Sequence, residues 1–322
     1  KLLNREFPVV FLYGDPGSGK TNIVSHMANK NDSVVTLRFH AFKPLSAEDL
    51  YLSADKGISD PRALWGNLLI ELRELFTGKL AQYNIPVSIE LIDSIDELRK
   101  EVLRLAQLYS IEVGRPTIIV IDGIDHAARS GSKNSFLSTL VNPKGIPKNV
   151  CFLISGQPVM NYDMYPDWLS TEDGVLHIEV PKINEDDIKQ LFIQTNKSMP
   201  EEDIELAVKI INKAVSGNTL SAVFAVNGTS YCSNIDELET EIERSKISGG
   251  LLSYYEYMWK STLENLPKGA LYIEPLMAGA LTLINKKITP LLMAKIFNGE
   301  NISEYVWKSS LNKLYPLVVN ED

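Results

Sequence analysis

"VVFLYGDPGSGKTNIVSHMA", Val9 to Ala28, is an apolar, β-branched run that breaks into a glycine-rich turn and resumes with helical spacing. Within it, Gly14-Asp15-Pro16-Gly17-Ser18-Gly19-Lys20-Thr21 fits G-x-x-x-x-G-K-[ST] without a mismatch. The flanks are those a phosphate-binding loop needs. Pro8 to Tyr13 reads as a strand buried on both faces, and Ile23, Val24, Met27 and Ala28 recur on one side of a following helix. Glycines let successive N–H groups turn inward toward phosphate oxygens, and the helix start adds the positive end of its dipole. Lys20 would reach the β and γ phosphates of ATP or ADP, and the Thr21 hydroxyl would ligate Mg²⁺, with Asn22 beside it on the first turn. The bland alternative is a turn that only joins a strand to a helix.

A nucleotide loop calls for a second motif that supplies the metal with a carboxylate. "RPTIIVIDGIDHAAR" does so: Thr117 to Ile121 is an unbroken strand ending in Asp122, at the carboxyl edge of a parallel sheet. Asp122 would hold Mg²⁺ through water. Asp125 follows one turn later, where a carboxylate could orient or deprotonate an attacking water; turn capping is its alternative role. Lys20 and Asp125 are therefore the catalytic candidates. For His126 a structural and a functional reading stand side by side. Asn149 to Ile154 is a further strand whose end, "SGQP", puts Ser155 and Gln157 at the same edge, as sensors of the γ-phosphate or as a plain turn. Val34 to Arg38 and Val175 to Val180 complete an expected five-stranded parallel core.

Between these strands Asp60-Pro61 opens one helix, and Ser94 with Glu97 forms a capping box for another whose apolar side carries Leu98, Val102 and Leu105. After Val180 the pattern is helical. Asn184 caps a helix with Ile188, Leu191 and Phe192, and Pro200 opens one with Ile204, Ala207, Val208 and Ile211 that Ser216-Gly217 stops. Another starts near Thr219, "IDELETEIERS" follows, and Ser248-Gly249-Gly250 reads as a linker. Leu251 to Asp322 offers short helices and a final apolar "LYPLVV", the pattern of a winged helix. The expected organisation is an α/β nucleotide-binding core at 1–182, a helical lid at 183–248 and a winged helix at 249–322.

Composition limits the partners. The 322 residues are 44% hydrophobic with a formal charge of −9, and the pI is near 5.1. Such a balance disfavours a surface devoted to phosphate backbones. From Leu251 to Asp322 there are 7 Lys+Arg and 7 Asp+Glu, and the segment "TPLLMAKIFNGENIS" holds one lysine and one glutamate, so nucleic-acid binding is not expected there. Cys151 and Cys232 form neither a C-x-x-C pair nor a disulfide framework, which fits a reducing, cytoplasmic setting. No spanning helix or signal peptide is expected, since Leu271 to Ile284 is broken by Glu274 and Pro275. The chain begins with Lys1 rather than Met, so further sequence is expected beyond its ends.

The order of glycine loop, "IDGIDHAAR", "LISGQP", helical lid and winged helix resembles the STAND class of signal-transducing P-loop NTPases, which includes the NACHT and NB-ARC proteins. Val120-Ile121-Asp122-Gly123-Ile124-Asp125 is similar to that class in having Gly123 where ordinary AAA+ motors put glutamate. "SGNTLSAVFA" resembles its G-x-P lid segment with Thr219 in place of proline, and the usual sensor arginine is not evident near Gln157. The resemblance implies a switch that binds ATP or ADP with Mg²⁺, hydrolyses slowly, oligomerises when triggered and activates an effector, with trigger and effector parts outside this segment. "LRFHAF" and "DGIDHAAR" look most like bacterial antiviral members. The rival class is an origin-recognition-type AAA+ ATPase that binds DNA through its winged helix. Arg129 could act on a neighbouring subunit's nucleotide or sit in a surface salt bridge.

Overall fold

Five short runs rich in Val, Ile, Leu and Phe pair as strands: β1 (Val9–Tyr13), β2 (Val35–His40), β3 (Thr117–Asp122), β4 (Val150–Gly156) and β5 (Val175–Glu179). They form one parallel sheet in the order β2-β3-β4-β1-β5. The computed structural model describes residues 7–29, 35–41, 59–80, 82–85, 92–129, 135–171 and 173–263. The part of the expected winged helix from residue 264 onward lies outside them.

Side chains alternate across a strand, so a sheet covered on both faces needs apolar residues at every position. Val9 and Phe11 of β1 join Leu37, Phe39, Ile119, Ile121, Phe152 and Ile154 in the larger core cluster. Val10 and Leu12 point the other way, with Val120, Cys151 and Leu153, and meet Val24 of α1 (Lys20–Asn29). The larger cluster is filled by α2 (Pro61–Leu75), through Leu64, Trp65, Leu68, Leu69 and Leu72, and by α3 (Ile95–Val113), through Leu98, Val102 and Leu105. Asp60 accepts from Arg62 N at 2.7 Å with Pro61 next in line, and Ser94 Oγ accepts from Glu97 N at 3.1 Å, as the sequence pattern requires. Gly114, at φ +66°, ends α3 in the left-handed conformation. Two short helices complete this layer, α4 (Ile124–Arg129) and α5 (Trp168–Thr171).

Strand ends differ from the expected ones, and β4 runs on from Ile154 to Gly156. β2 runs on from Arg38 to His40, because its ladder with β3 continues until His40 faces Asp122. β5 stops at Glu179, although Val180 N still donates to Tyr13 O at 2.8 Å. β2 lies at one edge of the sheet, and the Arg38 N–H finds a partner in Glu71 Oε2 of α2 at 3.0 Å. Burial pushes the Glu71 carboxyl above its usual range, against the pull of that bond.

The chain divides into two units, Lys1–Pro181 and Lys182–Asp322. In the second, α6 (Glu185–Thr195), α7 (Glu201–Val215), α8 (Thr219–Gly228), α9 (Ile235–Ser245) and α10 (Leu251–Leu263) surround their own core of Ile188, Phe192, Val208, Ile211, Phe224 and Leu238. Asn184, Asn218 and Asn234 each accept a backbone N–H three residues on, at 2.9, 3.0 and 2.9 Å. Ser216 (φ +52°) and Gly217 (φ +80°) close α7. Thr219 is the first residue of α8, a position where proline would break no intrahelical bond. The stretch read as a linker, Ser248-Gly249-Gly250, is a tight turn after buried Ile247, and α10 continues the same core by stacking Tyr254 on Phe224 with centroids 4.9 Å apart. Cys151 and Cys232 are both buried and are not joined in a disulfide. Among the described residues no helix is long and apolar enough to cross a membrane.

Candidate functional site

The strand order decides which residues meet. β4 lies between β1 and β3, so the end of β4 falls between the glycine loop and Asp122. The three carboxyl ends, with α1 leaving β1 and α4 leaving β3, form one polar edge.

The loop from Gly14 to Gly19 closes on itself. Gly14 N donates to Gly156 O at 3.3 Å, Ser18 N to Asp15 O at 3.1 Å, and Ile23 N to Gly19 O at 3.0 Å. A Cβ at Gly14 would stand 2.8 Å from Ser18 Oγ and 3.3 Å from Val180 Cβ, so a side chain there would have to push the Ser18 side chain aside. Gly17 (φ +78°) and Gly19 (φ +94°) adopt backbone conformations that L side chains resist. Asp15 and Pro16 are exposed on the outside of the loop, and Thr21 and Asn22 are exposed on the first turn of α1, which carries no acidic residue. Lys20 reaches back, its Nζ donating to Gly14 O at 2.7 Å and to Asp15 O at 2.9 Å. Burial holds the Lys20 ammonium below the usual lysine range, against the pull of Asp125, Asp122 and Asp15, so all three carboxylates lie within its electrostatic reach.

Asp122 is 1% exposed, and both of its oxygens are engaged by protein. Ser155 Oγ donates to Oδ1, and His40 Nδ1 lies 3.2 Å from Oδ2. The Ser155 hydroxyl direction follows from its neighbours: Oγ accepts the Gly123 N–H at 3.1 Å, so its single proton goes to the carboxylate. Ser155 itself is fully buried.

Asp125 sits in the first turn of α4 after Gly123, whose φ of +79° makes the bend. It is 4% exposed. Its Oδ2 pairs with Arg129 one turn further on and accepts Gln157 Nε2 at 3.2 Å. The Arg129 arm is about half exposed, and its guanidinium is paired with a buried carboxylate. Tyr165 Oη donates to Gln157 O at 3.4 Å, and its burial raises the phenol well above its usual range. His126 lies on the outer side of α4, with partial burial lowering its pKa and Asp125 opposing that.

Lys20, Asp122, Asp125, Ser155 and Gln157, separated in sequence, thus meet at one edge. His40, beside Asp122, was not among the residues that the sequence singled out. The signal was present in the alternation Thr36, Arg38, His40, which places His40 on the α1 face if the strand runs two residues longer than its apolar part.

The residues fit a nucleotide with Mg²⁺: the glycine curl leaves room where side chains would intrude, and the Thr21 hydroxyl and Asp122 carboxylate are hard oxygen donors of the kind that ion takes.

Residues 5–164 match the protein family described as AAA domain. No curated protein matches the chain. Among solved structures, the chain is similar to a Walker-type ATPase of Pyrococcus abyssi (16% identity, 97% of this chain and 86% of that one, TM-score 0.45). It is similar also to a STAND protein with a tetratricopeptide-repeat sensor from Pyrococcus horikoshii (16% identity, 97% of this chain, TM-score 0.43), of which it spans 37%. A third similar structure is the Orc1 protein of Aeropyrum pernix in complex with DNA (11% identity, 95% and 76%, TM-score 0.39). With an AAA domain matched over this loop and this sheet edge, residues 5–164 form a P-loop NTPase domain of AAA-like type, a kind of domain that binds nucleotide.

Proposed function

We propose that this chain is an ATP- and ADP-binding molecular switch of the STAND class with slow, Mg²⁺-dependent ATP hydrolysis, which couples recognition of a trigger to oligomerisation and activation of an effector. One observation carries the reading: the Asp125 carboxylate, the candidate base for an attacking water, is buried and already held by Arg129 and Gln157. A base so occupied supports slow turnover until the local arrangement changes, which suits a timer better than a motor.

In this reading the glycine-loop N–H groups and Lys20 bind and orient the phosphates, and Lys20 gives up its carbonyl partners to do so. Thr21 and Asp122 would hold Mg²⁺, which supplies neutralisation of phosphate charge. Asp125 takes the proton of the attacking water, and Gln157, bonded to that carboxylate, reports whether a γ-phosphate is present. The balanced charge of Leu251 to Asp322 supports a packing role for the last segment over DNA binding. The resemblance of "LRFHAF" and "DGIDHAAR" to antiviral members supports a place in antiviral or immune defence, with trigger and effector modules outside this segment.

The test is to denature the purified protein and identify co-released nucleotide by chromatography, beside Lys20→Ala, and to measure ATP turnover with and without DNA. Retained ADP, absent from the variant, with turnover that DNA leaves unchanged is the expected result. An empty site with fast, DNA-stimulated turnover would overturn the switch and favour the origin-recognition type.

A further inference from the structure

His40, Asp122 and Ser155 form a polar row across three neighbouring strands. Each strand sends its odd-numbered or even-numbered apolar partners into the larger core, Phe39, Ile121 and Ile154, and the next residue to the α1 face. On that face the row begins where Val120 and Leu153 stop. A histidine at the last position of β2 is therefore placed by sheet register, not by loop conformation, and register holds His40 opposite Asp122.

We propose that His40 is a positioning residue for Asp122, fixing the plane of its carboxylate for the metal's water shell. The inference rests on the nucleotide-site reading above. Asp122 is 1% exposed, so solvent does not orient it. Ser155 engages Oδ1 alone, and a carboxylate held at one oxygen can still swing about its side-chain bond. The 3.2 Å approach of His40 Nδ1 to Oδ2 supplies the second point of attachment. A carboxylate acting through metal-bound waters depends on angle as well as distance, and partners that orient metal-binding carboxylates typically contribute about 10–100-fold in metal affinity.

The experiment measures the dissociation constant of a fluorescent ADP analogue twice, in EDTA and in saturating Mg²⁺, for wild type, His40→Leu and His40→Asn, with a thermal unfolding curve for each. Asparagine keeps an N–H donor at the distance of Nδ1 from the backbone; leucine does not. The Mg²⁺-dependent gain in affinity should fall about tenfold in His40→Leu. Affinity in EDTA should stay within twofold of wild type, and His40→Asn should recover most of the gain. A His40→Leu gain equal to wild type overturns the proposal. So does an equal loss in both buffers that follows the unfolding temperature and that asparagine does not rescue, since that is a purely structural role. A wild type that binds nucleotide but gains nothing from Mg²⁺ overturns this inference alone, whereas one that binds no nucleotide in either buffer overturns the nucleotide-site reading and this inference with it.

Discussion

Lys20 is held by two carbonyl oxygens of its own loop while three carboxylates pull on its charge, and the balance has a pH consequence. Burial lowers its pKa in the free protein; phosphate oxygens would favour the charged form and raise it in the complex. A group whose pKa rises on binding gives full affinity below its free-state pKa and loses it as pH climbs above. Nucleotide affinity should therefore fall on the alkaline side, beginning below the ordinary lysine range, by at most about tenfold per pH unit for a single proton. Titrations of a fluorescent nucleotide from neutral to alkaline pH read this directly. Lys20→Arg, which keeps its proton, should bind without the alkaline decline.

The Asp125 pair leads to a contrasting set of variants. Asp125→Asn should keep nucleotide and lose roughly 10²–10⁴ in turnover, the usual contribution of a general base. Arg129→Ala should instead raise turnover severalfold by freeing the carboxylate, at a cost in stability because a buried carboxylate loses its charged partner. A fall in turnover in Arg129→Ala would mean that the arginine takes part in hydrolysis. Lys20, Asp122 and Asp125 were each readable from short motifs. The pairing of Asp125 with Arg129 was not, since an i,i+4 pair on a six-residue helix leaves no pattern that separates a buried partner from a solvated one.

Helices and turns obey local rules, and there sequence reading was most direct. Asp60, Ser94 and Asn184 cap the helices their positions announce. Asn184→Ala should cost about 1 kcal/mol, read as a lower urea midpoint for unfolding of the second unit with an unchanged slope. Gly156, at the end of β4, shows a constraint that local rules miss. A Cβ there would meet Tyr165 Oη at 2.7 Å and Ile124 Cγ1 at 2.8 Å, atoms from the following loop and from the helix after β3. Gly156→Ala should destabilise the first unit by about 1–3 kcal/mol through overpacking, and the same urea experiment measures it. The glycine in "SGQP" reads from sequence as a turn residue; its actual requirement is the close approach of two distant segments.

The two units carry separate cores, and the glycine loop belongs to the first. Nucleotide bound there should stabilise that unit selectively, by about 2.7 kcal/mol at a free concentration 100 times the dissociation constant. Scanning calorimetry with and without MgADP should move the first unit's transition upward and leave Lys20→Ala unmoved. A shift of equal size in the variant would place the binding elsewhere.

Residue order alone determined the glycine loop, the strand that leads into it, the acidic strand end at Asp122 and most helix caps, because each depends on neighbours within about one turn of chain. The strand order β2-β3-β4-β1-β5 is a different matter, since hydrogen-bond pairing between segments that lie far apart along the chain is not written in any one of them. That order inserts β4 between the loop strand and the Asp122 strand, buries Ser155 against the carboxylate, and carries β2 two residues past its apolar part so that His40 meets Asp122. The parts of the site were legible one by one; which of them touch was settled by the pairing of the sheet.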